Sequence, residues 1–381
     1  MGKFSDLVNI EIPKKHNDES PFTNKKYLQE SIENLDQVSS IRDCIREIAP
    51  IINSIKMECA AIESLQSNSD FTGIIDIISK GDVDGFHKRL GITNSDLFGR
   101  SDKGKRDIYV SSLTEDVTNF ISQLWDAVRS AIQKVYDWSM NLVSENSKIA
   151  ICKQQVDAAI QAMSTKGNAT VTCDMCDVND WEIKANQILK LYTVLEELFT
   201  TATQSIVTGQ LNENMLQDQL VGKMQRNNII DIKLVITDGV KSSSFVFQGI
   251  GTGRIEVTDA GTTLTNCKQM YDSIIAKIGN VNNAIATYAQ NITAAQSQYK
   301  CNTDCAAVVS NISSATQLIT KAVVSINNYV TETLTNCLMD IASKINMASQ
   351  KLPDQQPSQN QPEQEPVKIK PVEEPQQVQN Q

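Results

Sequence analysis

All nine prolines of this chain lie outside residues 51–352. Pro13, Pro21 and Pro50 come early, and the other six crowd between Pro353 and Pro375. Average usage would place about 15 prolines in the tract between them. Proline breaks helix interiors because it lacks an N–H and its ring meets the preceding turn. A long tract that excludes it, with aromatics at 5%, predicts long helices packed on each other. The fold class expected is mainly α: an elongated antiparallel helical bundle with a C-terminal helical hairpin, a small β insertion and disordered termini.

Composition narrows the function. The formal net charge of -10 argues against nucleic acid as the main partner, since no basic face offsets it. No run of 18 apolar residues occurs, so no transmembrane helix is expected. The first residues, MGKFSDLVNIEIPKK, lack the apolar core of a secretory signal. Gly2 suggests myristoylation, but Asp6 stands where that motif needs a hydroxyl. The two histidines are His16, in a polar leader, and His87, in GDVDGFHKRLG. Neither has the partner spacing of a nucleophile–base pair or a zinc motif. Gly249–Gly253 joins two strand-like runs, which suits a hairpin turn better than a phosphate cradle. A non-enzymatic protein without an organic cofactor is expected.

Residues 1–23 read as a flexible leader and 24–66 as an N-terminal helix. Its stripe runs through Leu28, Ile32, Leu35, Val38, Ile45, Ile48, Ile52, Ile55, Cys59, Ile62 and Leu65, with a kink expected at Pro50. Residues 67–115 read as short helices and a polar linker. Residues 116–350 form the long bundle, with a β insertion at 228–260 (IIDIKLVIT, SSFVFQ, GRIEVT). The steadiest periodicity comes last. Leu264, Cys267, Tyr271, Ile274, Ile278, Val281, Ile285, Tyr288, Ile292, Ala295 and Tyr299 alternate three and four. Val308, Ile312, Ala315, Ile319, Ala322, Ile326, Val330, Leu334, Cys337, Ile341 and Ile345 repeat the habit. KCNTDC joins the two as an antiparallel hairpin. Residues 351–381, rich in Pro, Gln and Glu, read as a disordered tail.

Nine cysteines occur. Cys267 and Cys337 lie nearly symmetric about the turn that holds Cys301 and Cys305, and both sit in the seams. They are expected to face each other, as a disulfide or as two buried thiols. Cys173 and Cys176 (TCDMCD) read as the turn between the third and fourth long segments. In an up-down bundle that turn and the one at 301–305 emerge at the same end. Cys173, Cys176, Cys301 and Cys305 could then hold a structural zinc, close as two local disulfides, or remain free thiols.

Residues 117–143 are amphipathic and carry Trp125 and Trp138. Their charges cancel, so a buried bundle helix is favoured over a membrane-surface helix. The stretch KRDIYVSSLTEDVTNFISQLWDAVRSAIQKVYDWSMNLV, residues 105–143, resembles internal head and virion structural proteins of large tailed bacteriophages. That resemblance implies a virion location. It also implies trimming by a maturation protease after a Glu that follows a small residue two positions earlier. Ala61-Ile62-Glu63 and Ser31-Ile32-Glu33 match this pattern, making Glu63 and Glu33 the cleavage candidates; Leu113-Thr114-Glu115 does not.

The order of elements, with a β insertion before a long helical hairpin, resembles α-helical pore-forming toxins with a β-tongue. This likeness implies membrane contact through Val246 and Phe247. Such tongues are strongly apolar, whereas residues 228–260 include Asp231, Lys233, Asp238, Lys241, Arg254, Glu256 and Asp259. The reading favoured from sequence is therefore a structural or packaging protein of a virion, working through protein partners or self-association. The membrane-active bundle is the alternative.

Overall fold

A computed structural model of the chain describes residues 25–167, 169–237, 242–299 and 305–352. The leader and the tail lie outside these residues. The fold is mainly α. Helix α1 (Lys25–Ser67) leads through the short helices α2 (Phe71–Ile78), α3 (Val83–Arg89) and α4 (Asn94–Leu97) into α5 (Asp102–Leu142). Helix α6 (Lys148–Ser164), strand β1 (Val171–Cys176), α7 (Val178–Val207) and α8 (Glu213–Arg226) follow. Then come β2 (Ile232–Thr237), β3 (Ser242–Phe247), β4 (Thr252–Val257), α9 (Ala260–Gln298), α10 (Ala306–Tyr329), a π-helical turn (Val330–Leu334) and α11 (Thr335–Ser349).

Helix α1 runs through Pro50 rather than ending there. Pro50 and Arg46 are both exposed. The carbonyl that loses its bond to the missing N–H, that of Arg46, therefore belongs to the solvent side. Val38, Ile41, Ile45, Ile48, Ile52, Ile55, Ile62 and Leu65 form the buried face. Ile32 and Leu35 of the expected stripe are exposed instead, and the side chain of Leu28 lies outside the described residues. Helix α1 packs antiparallel on α5: Trp138 Nε1 donates to Asn34 Oδ1 at 2.8 Å, and farther along, Cys44 Sγ lies 3.5 Å from Ser130 Oγ. Both Trp125 and Trp138 are core residues.

Helices α5, α6, α7 and α8 start at side-chain caps. Ser101, Ser147, Asp177 and Asn212 each accept a backbone N–H of the first turn, a partner those otherwise orphaned donors need. Helix α9, 39 residues or roughly 58 Å long, packs on α7, α5 and α6. Its ion pairs with α6, Lys153–Asp272 and Lys268–Asp157, run in opposite residue order, as antiparallel helices require.

The C-terminal hairpin is antiparallel in the expected register. Tyr288 meets Thr316 and Tyr271 meets Thr335, each hydroxyl pair at 2.7 Å and each nearly symmetric about the turn. Helix α10 lies at the centre of the bundle, covered by α1, α5, α7, α8 and β3. Its Ser313, Thr316 and Thr320 are buried, and their hydroxyls donate to the carbonyl four residues back.

The β insertion divides. Strands β2 and β3 form a hairpin, Ile232 opposite Phe247 and Thr237 opposite Ser242. Strand β4 pairs instead with β1, Val171 opposite Val257 and Cys176 opposite Thr252. The segment TCDMC, expected as a turn, is therefore extended.

Candidate functional site

The β2–β3 hairpin is held to the bundle at its base. Asp231, just before β2, receives an ion pair from Lys184 of α7 at 3.0 Å. Gln187, one turn on, donates to Asp231 Oδ2 at 2.6 Å and accepts the Asp231 backbone N–H at 3.0 Å. Lys184 and Gln187 are both buried. A buried ammonium is tolerable when it is paired and hydrogen-bonded, and Lys184 also reaches Asp180 at 3.6 Å and Gln248 Oε1 at 3.4 Å.

The other strand is held from α10. The ring of Phe247 stacks on Tyr329 with centroids 4.5 Å apart and planes at 13°. Tyr329 also donates its hydroxyl to the Gln248 carbonyl at 2.9 Å. Burial pushes the Tyr329 phenol well above its ordinary range, so this donor keeps its proton. Beyond the hairpin, Gly251 N donates to Asp180 Oδ2 and Asp177 N donates to Gly251 O, both at 2.8 Å. Lys184, Gln187, Asp231, Gln248 and Tyr329 thus form one clasp.

Tyr329 immediately precedes the π turn. A π turn shifts the carbonyl–amide pattern by one residue, and side chains serve its carbonyls here. Trp181 Nε1 donates to Leu334 O at 2.9 Å, and Thr335 Oγ1 to Val330 O at 2.8 Å. Glu332, within the turn, pairs with the buried Lys148 at 2.9 Å and accepts from Asn34 at 2.9 Å. Burial lowers the Lys148 pKa, while Glu332 pulls it back up.

The hairpin itself is more apolar than its sequence neighbourhood. Arg254 and Glu256 lie on β4, in the other sheet, and Asp259 caps α9. Asp231 is neutralised by Lys184 at the base. Lys233 is exposed on β2, while Asp238 and Lys241 lie outside the described residues. Val246 is 51% exposed, and Phe247 turns inward to Tyr329.

The expected cysteine site does not assemble. Cys173 and Cys176 sit three apart on an extended strand, so their side chains leave opposite faces; neither a local disulfide nor a shared metal suits them. Cys305 begins α10, the length of α9 away from β4 and its partner β1. Cys301 lies outside the described residues. Among the described residues no three His, Cys, Asp or Glu side chains converge on a metal position. Cys337 meets Cys176 rather than Cys267, sulfur to sulfur at 2.8 Å. Cys267 is buried on α9, where desolvation first and nearby Glu182 second push its thiol up to about 12.

Glu33 and Glu63 are both exposed but lie within helix α1. Proteases take extended chain, so a cut at either would require α1 to open locally.

No protein-family model, curated protein or solved structure matches this chain. Among the described residues no helix is long and apolar enough to cross a membrane.

Proposed function

We propose that this chain is a non-enzymatic helical bundle that carries the β2–β3 hairpin as a membrane-contacting tongue, held against α7 and α10 until it is released. One observation carries the reading. Strand β4 leaves the hairpin to pair with β1, which takes Arg254 and Glu256 with it and leaves IKLVIT and SSSFVF facing each other across the register. Three of the seven charges that spoke against a tongue, Arg254, Glu256 and Asp259, belong to other elements, and Asp231 is paired with Lys184 at the base. The clasp adds support, because its contacts sit at the base of the hairpin and leave Val246 open to solvent.

A virion packaging role, supported by the resemblance of residues 105–143, is the second reading. In this fold Trp125 and Trp138 of that stretch pack in the core as part of α5. The virion role becomes the favoured reading again if the chain ignores lipid.

The test is flotation of the full chain with vesicles of phosphatidylcholine and phosphatidylserine. Wild type should float with the vesicles. Val246→Asp, at an exposed position, should remain in the soluble fraction with an unchanged thermal midpoint. Asp231→Ala, which opens the clasp, should float more completely than wild type. Failure of wild type to float, or equal flotation of Val246→Asp, would overturn the tongue.

A further inference from the structure

Strand β1 brings a second cysteine to α11. Cys176 is buried, and its sulfur lies 2.8 Å from that of Cys337. Two unbonded sulfurs do not ordinarily sit so close. The backbone N–H of Cys176 also donates to Asp340 Oδ2 at 3.0 Å. Asp340 stands three residues after Cys337, on the same face of α11. Strand and helix are therefore held in register at this point by a bond that does not involve sulfur. A disulfide bond measures 2.03–2.05 Å, so the two sulfurs need to close by only about 0.8 Å.

We propose that Cys176 and Cys337 are an oxidation site, which a small disulfide such as oxidised glutathione converts into an intramolecular disulfide joining β1 to α11. This inference does not depend on the tongue. Cys337 is the half-buried member of the pair and Cys176 the buried one, so the oxidant reaches Cys337 first. The Cys337 thiol gives up its proton, and its sulfur attacks the small disulfide. One glutathione leaves as thiolate and takes up a proton. Cys176 then loses its proton and attacks the sulfur of Cys337, releasing the second glutathione. Two protein thiols become one disulfide, and one glutathione disulfide becomes two glutathione thiols.

The neighbourhood sets the rate. The hydrogen bond with Cys337 and then burial hold the Cys176 proton in place and push its thiol well above the ordinary range. The second step is slow for that reason, and the disulfide, once closed and buried, is equally slow to reduce. Two of the other thiols are shielded. Cys152 is fully buried, and desolvation pushes it up to about 12, as it does Cys267. The pair lies 161 residues apart along the chain, so closing it removes a large part of the freedom of the unfolded state.

The experiment uses the reduced full-length chain, incubated with oxidised glutathione at neutral pH, alkylated and analysed by intact mass and peptide mapping. The expected result is two fewer alkyl groups than on the reduced, alkylated control, one cross-linked peptide pair holding Cys176 and Cys337, and a higher thermal midpoint that dithiothreitol reverses. Cys176→Ser and Cys337→Ser should each abolish the cross-link, while Cys267→Ser should leave it intact. An alkylation count equal to that of the reduced control, a persistent glutathione adduct on Cys337, or a cross-link from Cys337 to Cys173 or Cys267 would overturn the assignment. The wild-type peptide map decides the matter even where a serine variant folds poorly.

Discussion

Helices α9 and α10 carry the same three–four seam and meet through the same hairpin, yet their other faces differ. On α9 the positions between seam residues are open to water: Asn266, Gln269, Ser273, Asn280, Asn283, Thr287 and Gln290 are exposed. On α10 the matching positions are Ser310, Ser313, Thr316, Gln317 and Thr320, all buried. A seam reports one face of a helix only. What the opposite face meets depends on how many neighbours arrive, and α10 receives five elements where a simple hairpin would supply one. Small hydroxyl residues make this possible. They let helices approach closely, and a hydroxyl bonded to its own helix needs no partner from outside.

The sharpest way to break this comparison is to place the same charge on each helix. Ser313→Glu buries an unpaired carboxylate at a fully enclosed position and should cost more than about 4 kcal/mol, or prevent folding. Ser273→Glu, on the exposed stripe of α9, should stay within about 0.5 kcal/mol of wild type. Urea unfolding of the two variants checks both. Similar losses would mean that the enclosure of α10 is wrong.

A second pair sharpens the contrast through hydrogen bonds. Asn327 on α10 accepts from the Tyr192 hydroxyl at 2.6 Å and donates to Ser139 at 2.8 Å. Burial pushes Tyr192 well above its ordinary range, so it stays a donor. Asn327→Ala leaves buried groups on α5 and α7 unsatisfied and should cost about 2–3 kcal/mol. Asn282 on α9 is equally buried, but its amide reaches only Met140 Sδ at 3.4 Å, and its Oδ1 finds no partner among the described residues. Asn282→Ala should cost less than about 1 kcal/mol. Equal losses would show that burial, and not the bridge across three helices, sets the cost.

The same contrast explains what could be read in advance. Every α9 seam residue from Leu264 to Ala295 is buried and the last, Tyr299, is half-buried just past the helix end, because periodicity carries that face directly. The antiparallel register was also legible, although tyrosine–threonine pairs occupy it where Cys267 and Cys337 were expected. Strand β1 was not legible. VTCDMC has no clean alternation and a charge in the middle, and it becomes a strand only because β4 offers a distant edge. Missing β1 misplaced Cys176, hid its approach to Cys337, and left Arg254 and Glu256 charged to the wrong hairpin. The clasp was equally hidden. Lys184 and Gln187 sit among polar residues of α7, and their burial depends on Asp231 arriving from 44–47 residues away.

The smallest effect probes the rule on α10 itself. If buried hydroxyls there are tolerated because they bond to their own helix, a hydroxyl without that bond should be a liability. Ser310 is such a case: it is 4% exposed, and its Oγ has no partner among the described residues. One turn on, Ser313 Oγ donates to Val309 O at 2.7 Å. Ser310→Ala removes an unsatisfied polar group with little change in volume and should be neutral or stabilising by about 0.5–1 kcal/mol. Ser313→Ala removes a satisfied hydroxyl and leaves a carbonyl that its helical N–H still serves, so it should lose about 0.5 kcal/mol. Opposite signs in paired denaturation curves support the self-bonding account. A loss at Ser310 equal to that at Ser313 would place a bonding partner for Ser310 in the folded protein and end the distinction.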